Sequence, residues 1–218
     1  MSTLQLDTDS WMRWAEPAAL VGGETRAIRL LSADERSRYA TTLSASARER
    51  FLWGRLLLRE LVAEQIGSRP AEVTIDARCT DCGGPHGRPV ATGPSDDARA
   101  LWLSVSACAG MVLVATSRGR PIGIDVEPCA VSTGQLQAIR QVAGDTEHPL
   151  RHWTRIEAVL KADGRGLRVD PRQVRVHTHG AELEGTLYRF AEPDFDPRFV
   201  LSSAFGPASG PAAGAGPG

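Results

Sequence analysis

Lysine is almost absent from this chain: of its 25 Lys and Arg residues, 24 are arginine and one, Lys161, is lysine. A charge excess of one sign is absent too. With 26 Asp and Glu the formal net charge is −1, which provides no global basic field for nucleic acid. No run of about eighteen apolar residues occurs, which excludes a transmembrane helix. Four cysteines in 218 residues are too few for a disulfide framework. The polar, acidic start, Met1 to Ser10, lacks the apolar stretch of a secretory signal. These absences predict a cytoplasmic protein with neither nucleic acid nor membrane as partner. Bulk composition is ordinary for a globular chain, at 42% hydrophobic and 23% charged residues. The length suits one large domain or two small ones.

In a chain that uses arginine for almost every cation, the lone lysine points to a position where arginine does not serve. Lysine is a compact point charge on a flexible stem, and arginine a wide planar fork. A cramped phosphate or proton-transfer site distinguishes them; chance retention is the plain alternative. Its neighbourhood reads Trp153-Thr-Arg-Ile-Glu157-Ala-Val-Leu-Lys161-Ala-Asp-Gly164-Arg-Gly166.

Along the chain, Ser32-Ala-Asp-Glu35 reads as a capping box opening a helix over 33–42. Ser46-Ala-Arg-Glu49 reads as a second box, followed by apolar and Arg positions at helical spacing up to Gly67, a natural stop. Short strands are expected at 73–76, 101–106, 111–116 and 121–127. Helices follow near 133–143 and 148–162, then strands at 174–177, 187–190 and 198–203. The stretch 50–59 faintly repeats in 153–161, each a long helix followed by a glycine and a strand. The expected fold is α+β, a pseudo-twofold pair of similar α/β halves with the site in the cleft between them. The halves are placed at 1–115 and 116–205, and the Gly/Pro/Ala-rich 206–218 is expected to be a disordered tail.

Gly123-Ile124-Asp125-Val126-Glu127-Pro128 ends an apolar strand with two carboxylates at i and i+2, on one face. Such a pair repels unless a cation separates it, and a hard oxygen-loving ion such as Mg²⁺ suits it. The alternative is a solvated strand edge whose acids discourage aggregation. Glu157 and Lys161 share a helix face at i, i+4. They form either a surface pair worth roughly 0.2–0.5 kcal/mol or a third carboxylate beside a phosphate-binding cation.

Gly-Ile-Asp-Val-Glu, followed after a helix by Trp-x-x-x-Glu-Ala-x-x-Lys-x-x-Gly-x-Gly, resembles the 4′-phosphopantetheinyl transferases, specifically their larger, monomeric, surfactin-synthetase-activating type. The resemblance runs from about residue 31 to 203. It takes in Arg50 with Gly54, the Gly87-Arg88-Pro89 turn and the Ser104-Val-Ser106 strand. It implies Mg²⁺ held by Asp125, Glu127 and Glu157 on the pyrophosphate of coenzyme A. It implies that Glu157 helps deprotonate a serine of an acyl or peptidyl carrier protein and that Lys161 assists the departing 3′,5′-ADP. Arg50 matches a ligand of the nucleotide 3′-phosphate, Arg88 a basic residue beside the nucleotide, and Ser106 the segment lining the coenzyme pocket. Arg38 falls near a basic coenzyme contact.

Two positions depart from that family. The histidine that usually follows the second serine of Ser-x-Ser, a coenzyme phosphate contact, is Ala107 here. The lysine usual before the glutamate is Ile156. The first departure keeps open a weakened or non-catalytic member that binds coenzyme A or a carrier.

Cys79-Thr-Asp-Cys82-Gly-Gly-Pro-His86 looks like half a zinc knuckle, with three ligands where structural zinc takes four. It is expected to be a Gly-rich turn carrying Arg88. Cys108 could act as a nucleophile only with a partner base; its sequence neighbour offers none, and His148, His152, His177 or His179 would serve only if the fold brings one close. Arg55, Arg151 and Arg155 are candidates for meeting an acidic carrier. Trp11 and Trp14 are expected to pin the N-terminal segment to the body.

Overall fold

The structure, a computed structural model, describes residues 1–208. Positions 209–218 of the expected tail lie outside the described residues. The chain opens not with helices but with a hairpin, β1 (Ser2–Asp7) and β2 (Ser10–Ala15). Three helices follow: α1 (Glu24–Leu30), α2 (Ala33–Thr41) and α3 (Ala45–Ile66). Then come β3 (Thr74–Asp76), β4 (Val90–Thr92), β5 (Leu101–Cys108), β6 (Met111–Arg118) and β7 (Ile122–Pro128). The remainder is α4 (Thr133–Ala143), α5 (Pro149–Asp163), β8 (Arg175–Val176), β9 (Gly180–Leu183), β10 (Thr186–Ala191) and β11 (Phe199–Phe205).

Two antiparallel sheets organise these elements. The first has the order β1-β2-β6-β5, the second β7-β11-β10-β9-β8, and β3 pairs with β4 separately. The fold is therefore mixed α/β, with antiparallel sheets and five α-helices among the described residues. Strand β6 runs through the 115/116 division, and the turn before Ile122 links the two sheets. Trp11 and Trp14 lie on β2, an interior strand between β1 and β6. Trp14 meets Phe195 edge-on at 5.3 Å, which fastens the opening hairpin to the segment before β11.

Helix α3 packs on the first sheet and α5 on the second. Leu52, Trp53, Leu57, Leu58, Leu61 and Val62 bury against Val112 and Val114 of β6. Ile156, Val159 and Leu160 bury against Ala181, Leu183, Tyr188 and Ala204. A third cluster joins the sheets: Met12, Met111, Leu113 and Ala115 meet Ile122, Ile124, Val126 and Leu201. Ile156, at the position where lysine is usual in the resembled family, is a core residue 1% exposed, and its burial explains an apolar side chain there.

The Ser32 capping box forms as expected, with both reciprocal bonds present. The second box does not. Helix α3 is capped by Ser44, whose hydroxyl accepts from Ala47 N, so Ser46 sits inside the first turn. Gly67 closes α3 at φ 65°. Glu35 of the first box also serves the core. It is 6% exposed and lies between two buried arginines of α3. Arg59 Nη1 donates to Glu35 Oε1 at 3.3 Å and Nη2 to Oε2, and Arg55 lies 3.1 Å from Oε1. Arg59 also donates to Val73 O at 3.1 Å. A buried carboxylate with two guanidiniums thus docks α2 onto α3. Arg55 is consequently an interior residue and not a surface contact for a carrier. Arg151 and Arg155 both pair with Glu192, at 3.3 and 2.8 Å.

Candidate active site

Strand β7 has its backbone ladder with β11 on one side only. On the other side it runs beside β5, where hydroxyls replace the ladder. Ile124 N donates to Ser104 Oγ at 3.0 Å and Val126 N to Ser106 Oγ at 3.2 Å. This seam places the carboxylate of Asp125 inside the protein, 4% exposed, so Asp125 is not part of a solvated strand edge.

Helix α5 comes to the same place because position 123 is glycine. A β-carbon there would lie 1.9 Å from Ala158 O and 2.5 Å from Ala162 N. The helix backbone therefore rests directly on the strand, and one turn of α5 presents Glu157 and Lys161 to Asp125. Lys161 Nζ donates to Asp125 Oδ1 at 2.6 Å and to Ser106 Oγ at 3.2 Å. Glu157 Oε2 stands 3.8 Å from the same ammonium. Ser106 Oγ in turn donates to Asp125 Oδ1 at 2.8 Å. Gly164, at φ 88°, ends the helix just beyond, as its capping preference predicts.

The cluster is short of positive charge. Burial pushes the carboxyl of Glu157 above its ordinary range, against the pull of Lys161 and with a smaller push from Asp125. Burial raises Glu127 too, and Asp125 adds to it. Asp125 Oδ2 is buried with no hydrogen-bond partner. An orphaned, acceptor-only oxygen among carboxylates that resist ionisation fits a hard divalent cation. The three carboxylates are not drawn together as tightly as a filled site: among the described residues, the one trio of acidic, His or Cys side chains with ligand atoms all within 4.8 Å is Cys79, Cys82 and His86.

In front of Lys161 and Glu157 opens a cavity of about 820 Å³. Its walls come from α2, α3, β5, α5 and the segment between β3 and β4. Arg38, Arg50, Arg55, Arg88, Arg165, Arg168 and Lys161 line it, against a single carboxylate, Glu157. Such a wall selects a polyanion. The guanidinium carbon of Arg88 lies over Trp102, 4.1 Å from the ring centroid, and that of Arg38 over Phe51 at 4.8 Å. Each guanidinium rests on an aromatic ring, and Arg38 also donates to Pro85 O.

Of the residues singled out from sequence, Arg38, Arg50, Arg88, Glu157 and Lys161 are brought to the cavity wall. Asp125 and Ser106 stand behind Lys161, tied to it by hydrogen bonds. Glu127, two residues along β7, is half-buried. Leu103, Ser104, Val105 and Ala107 are the β5 residues on the wall. Arg165 and Arg168 are additions that the sequence motifs do not include; they reach the cavity because the chain turns back in a short 3₁₀ segment after α5. The only signal for them in the sequence is their basic character just past Gly164. The thiol of Cys108 is pushed up to about 12 by burial, then by Glu127 and Asp125, which leaves it protonated and unsuited to nucleophilic attack.

No family model matches the chain. A protein of Synechocystis sp. described as a "putative 4′-phosphopantetheinyl transferase" is 26% identical over 159 residues. That alignment covers 66% of this chain and 61% of the relative's length. The chain is therefore similar to a protein named for phosphopantetheinyl transfer, over about three fifths of that protein, in agreement with the resemblance carried by its two acidic motifs.

Proposed function

We propose that this chain is an Mg²⁺-dependent 4′-phosphopantetheinyl transferase of the larger, monomeric type, built of two pseudo-twofold-related halves. In this reading it works in the cytoplasm, moving 4′-phosphopantetheine from coenzyme A to a serine of an apo acyl or peptidyl carrier protein and releasing 3′,5′-ADP. The observation that carries the reading is the arginine-walled cavity of about 820 Å³ with Lys161 and Glu157 at its wall and the buried Asp125 behind them.

The chemistry asks for little beyond positioning and charge. The carrier serine oxygen forms a bond to the β-phosphorus of coenzyme A, and the bond from that phosphorus to the bridging oxygen of 3′,5′-ADP breaks. Glu157, raised by burial, is suited to accept the serine proton. Lys161 offers its ammonium to the departing phosphate oxygens. Arg50 and Arg88 hold the nucleotide end, with Arg38 beside them. Asp125, Glu127 and Glu157 would hold Mg²⁺, whose contribution is to neutralise pyrophosphate charge. Ser106 fixes Asp125 and Lys161 relative to each other through its hydroxyl.

The test is intact-protein mass spectrometry of a panel of apo carrier proteins incubated with this chain and coenzyme A, with and without Mg²⁺. A phosphopantetheine mass gain that needs both the chain and Mg²⁺ supports the reading. No gain on any carrier, with coenzyme A still bound, overturns transfer and leaves a binding protein.

That second reading rests on Ala107, which lies on the cavity wall where the resembled family carries a phosphate-contacting histidine. Substitution Ala107→His separates the two. Tighter coenzyme A binding by calorimetry with faster transfer marks an active enzyme lacking one contact. Tighter binding without transfer marks a binder.

A further inference from the structure

The segment 77–89, between β3 and β4, has no regular secondary structure, yet it forms part of the cavity wall and carries Arg88. Backbone bonds fold it into two tight turns: Cys79 N to Gly84 O at 2.7 Å, Gly83 N to Cys79 O at 2.9 Å, and Gly87 N to Ala77 O at 2.7 Å. Gly83 takes φ 69°, a conformation that glycine adopts freely.

These turns bring three soft ligands together. Cys79 Sγ, Cys82 Sγ and a ring nitrogen of His86 all lie within 4.8 Å of one another. Cys82 Sγ and His86 Nε2 are 2.9 Å apart. The backbone also supplies a donor to sulfur: Gly84 N points at Cys82 Sγ, 3.4 Å away. Amides aimed at sulfur stabilise thiolate, the form a metal binds. A tetrahedral zinc with bonds of about 2.0–2.3 Å spaces its ligands by about 3.5 Å, close to what this turn already holds.

We propose that Cys79, Cys82 and His86 form a zinc site with solvent in the fourth position, fastening the segment that carries Arg88. On binding, both thiol protons leave to solvent, and His86 binds through neutral Nε2. Two sulfurs and an imidazole select zinc over Mg²⁺, so this site is chemically distinct from the carboxylate cluster. The loop it closes is anchored on two sides. Arg168 pairs with Asp81, and Arg38 donates to Pro85 O, so both cavity arginines grip the segment that the metal makes rigid.

The experiment needs no assumption about catalysis. The full chain, purified under reductant without added metal, is assayed for zinc by mass spectrometry beside Cys82→Ser and His86→Ala. Both positions are exposed, so the substitutions spare the core. The expected result is about one zinc per wild-type chain and almost none in either variant. The metal-stripped wild type is then titrated with Co²⁺ alone. Thiolate-to-cobalt charge transfer with the intense visible bands of tetrahedral cobalt is expected. A wild-type chain that holds no zinc and gives neither cobalt signature overturns the proposal. Zinc retained at wild-type level in both variants, or a wild-type mass two hydrogens low from a Cys79–Cys82 disulfide, overturns it equally.

Discussion

Gly123 and Ala158 are in backbone contact: a β-carbon on Gly123 would stand 1.9 Å from the Ala158 carbonyl oxygen. That contact sets the distance between β7 and α5, and hence between Asp125 and Lys161. Gly123→Ala must push the helix off the strand. Overpacking of this kind costs about 1–3 kcal/mol or more. A fall in Tm on the order of 5–10 °C is expected by calorimetry, with weaker Mg²⁺ binding because the carboxylates separate. An unchanged Tm would show that α5 shifts at no cost.

Lys161→Arg tests whether the lone lysine is required. Its ammonium lies 2.6 Å from Asp125 Oδ1 and 3.2 Å from Ser106 Oγ, at the cavity wall, and a planar guanidinium fits that space only by displacing Asp125. Transfer by Lys161→Ala is expected to slow by about 10²–10³-fold, and Lys161→Arg is expected to recover little of it although the charge is kept. Arginine kinetics equal to wild type would remove the steric argument.

Glu157→Gln separates chemistry from folding. If Glu157 accepts the serine proton, kcat falls by about 10²–10⁴-fold. The stability effect has the opposite sign. Burial raises the folded-state pKa of Glu157, so its ionised form costs stability above that pKa, and the cost fades as pH falls through it. A neutral glutamine removes the cost at neutral pH. In magnesium-free buffer near pH 7 the variant should melt above wild type. A lower Tm would mean that the carboxylate holds the fold through Lys161.

Glu35→Ala leaves Arg55 and Arg59 buried without their shared carboxylate. Removing one member of a buried ionic cluster costs about 3–5 kcal/mol, which corresponds to a Tm loss on the order of 10 °C. Thermal unfolding checks it. Because Arg55 lines the cavity, coenzyme A affinity should fall as well, measured well below the new Tm.

Local signals in the sequence hold where they act alone. The Ser32 box, the Gly67 and Gly164 stops and the 133–143 helix match because each is decided within one turn of chain. Ser46 misleads because Ser44 offers the same cap two residues earlier, and only the path of α3 chooses between them. Strand β2 is hidden in the sequence because it is an interior strand buried at Ser10, Met12, Arg13 and Ala15, which erases the alternation that betrays a half-exposed strand. Glu157 and Lys161 are legible as a pair on one helix face. Their meeting with Asp125 depends on Gly123, whose role emerges only once α5 lies against it. The three ligands of the 79–86 turn are legible as residues, but their convergence is not, since it rests on backbone bonds between Cys79, Gly83 and Gly84.

The two hydroxyls between β5 and β7 act as a key. A backbone ladder can slip by a residue and still find partners, because every residue offers the same amide and carbonyl. Here Ile124 and Val126 find acceptors only where Ser104 and Ser106 stand. A slip of one residue would present Leu103, Val105 or Ala107, none of which has an acceptor on its side chain, and would strand two buried amides at about 1–3 kcal/mol each. Ser-Val-Ser therefore acts as a two-tooth lock: the sheets meet in one register or not at all, and the meeting of Asp125 with Lys161 is inherited from that register.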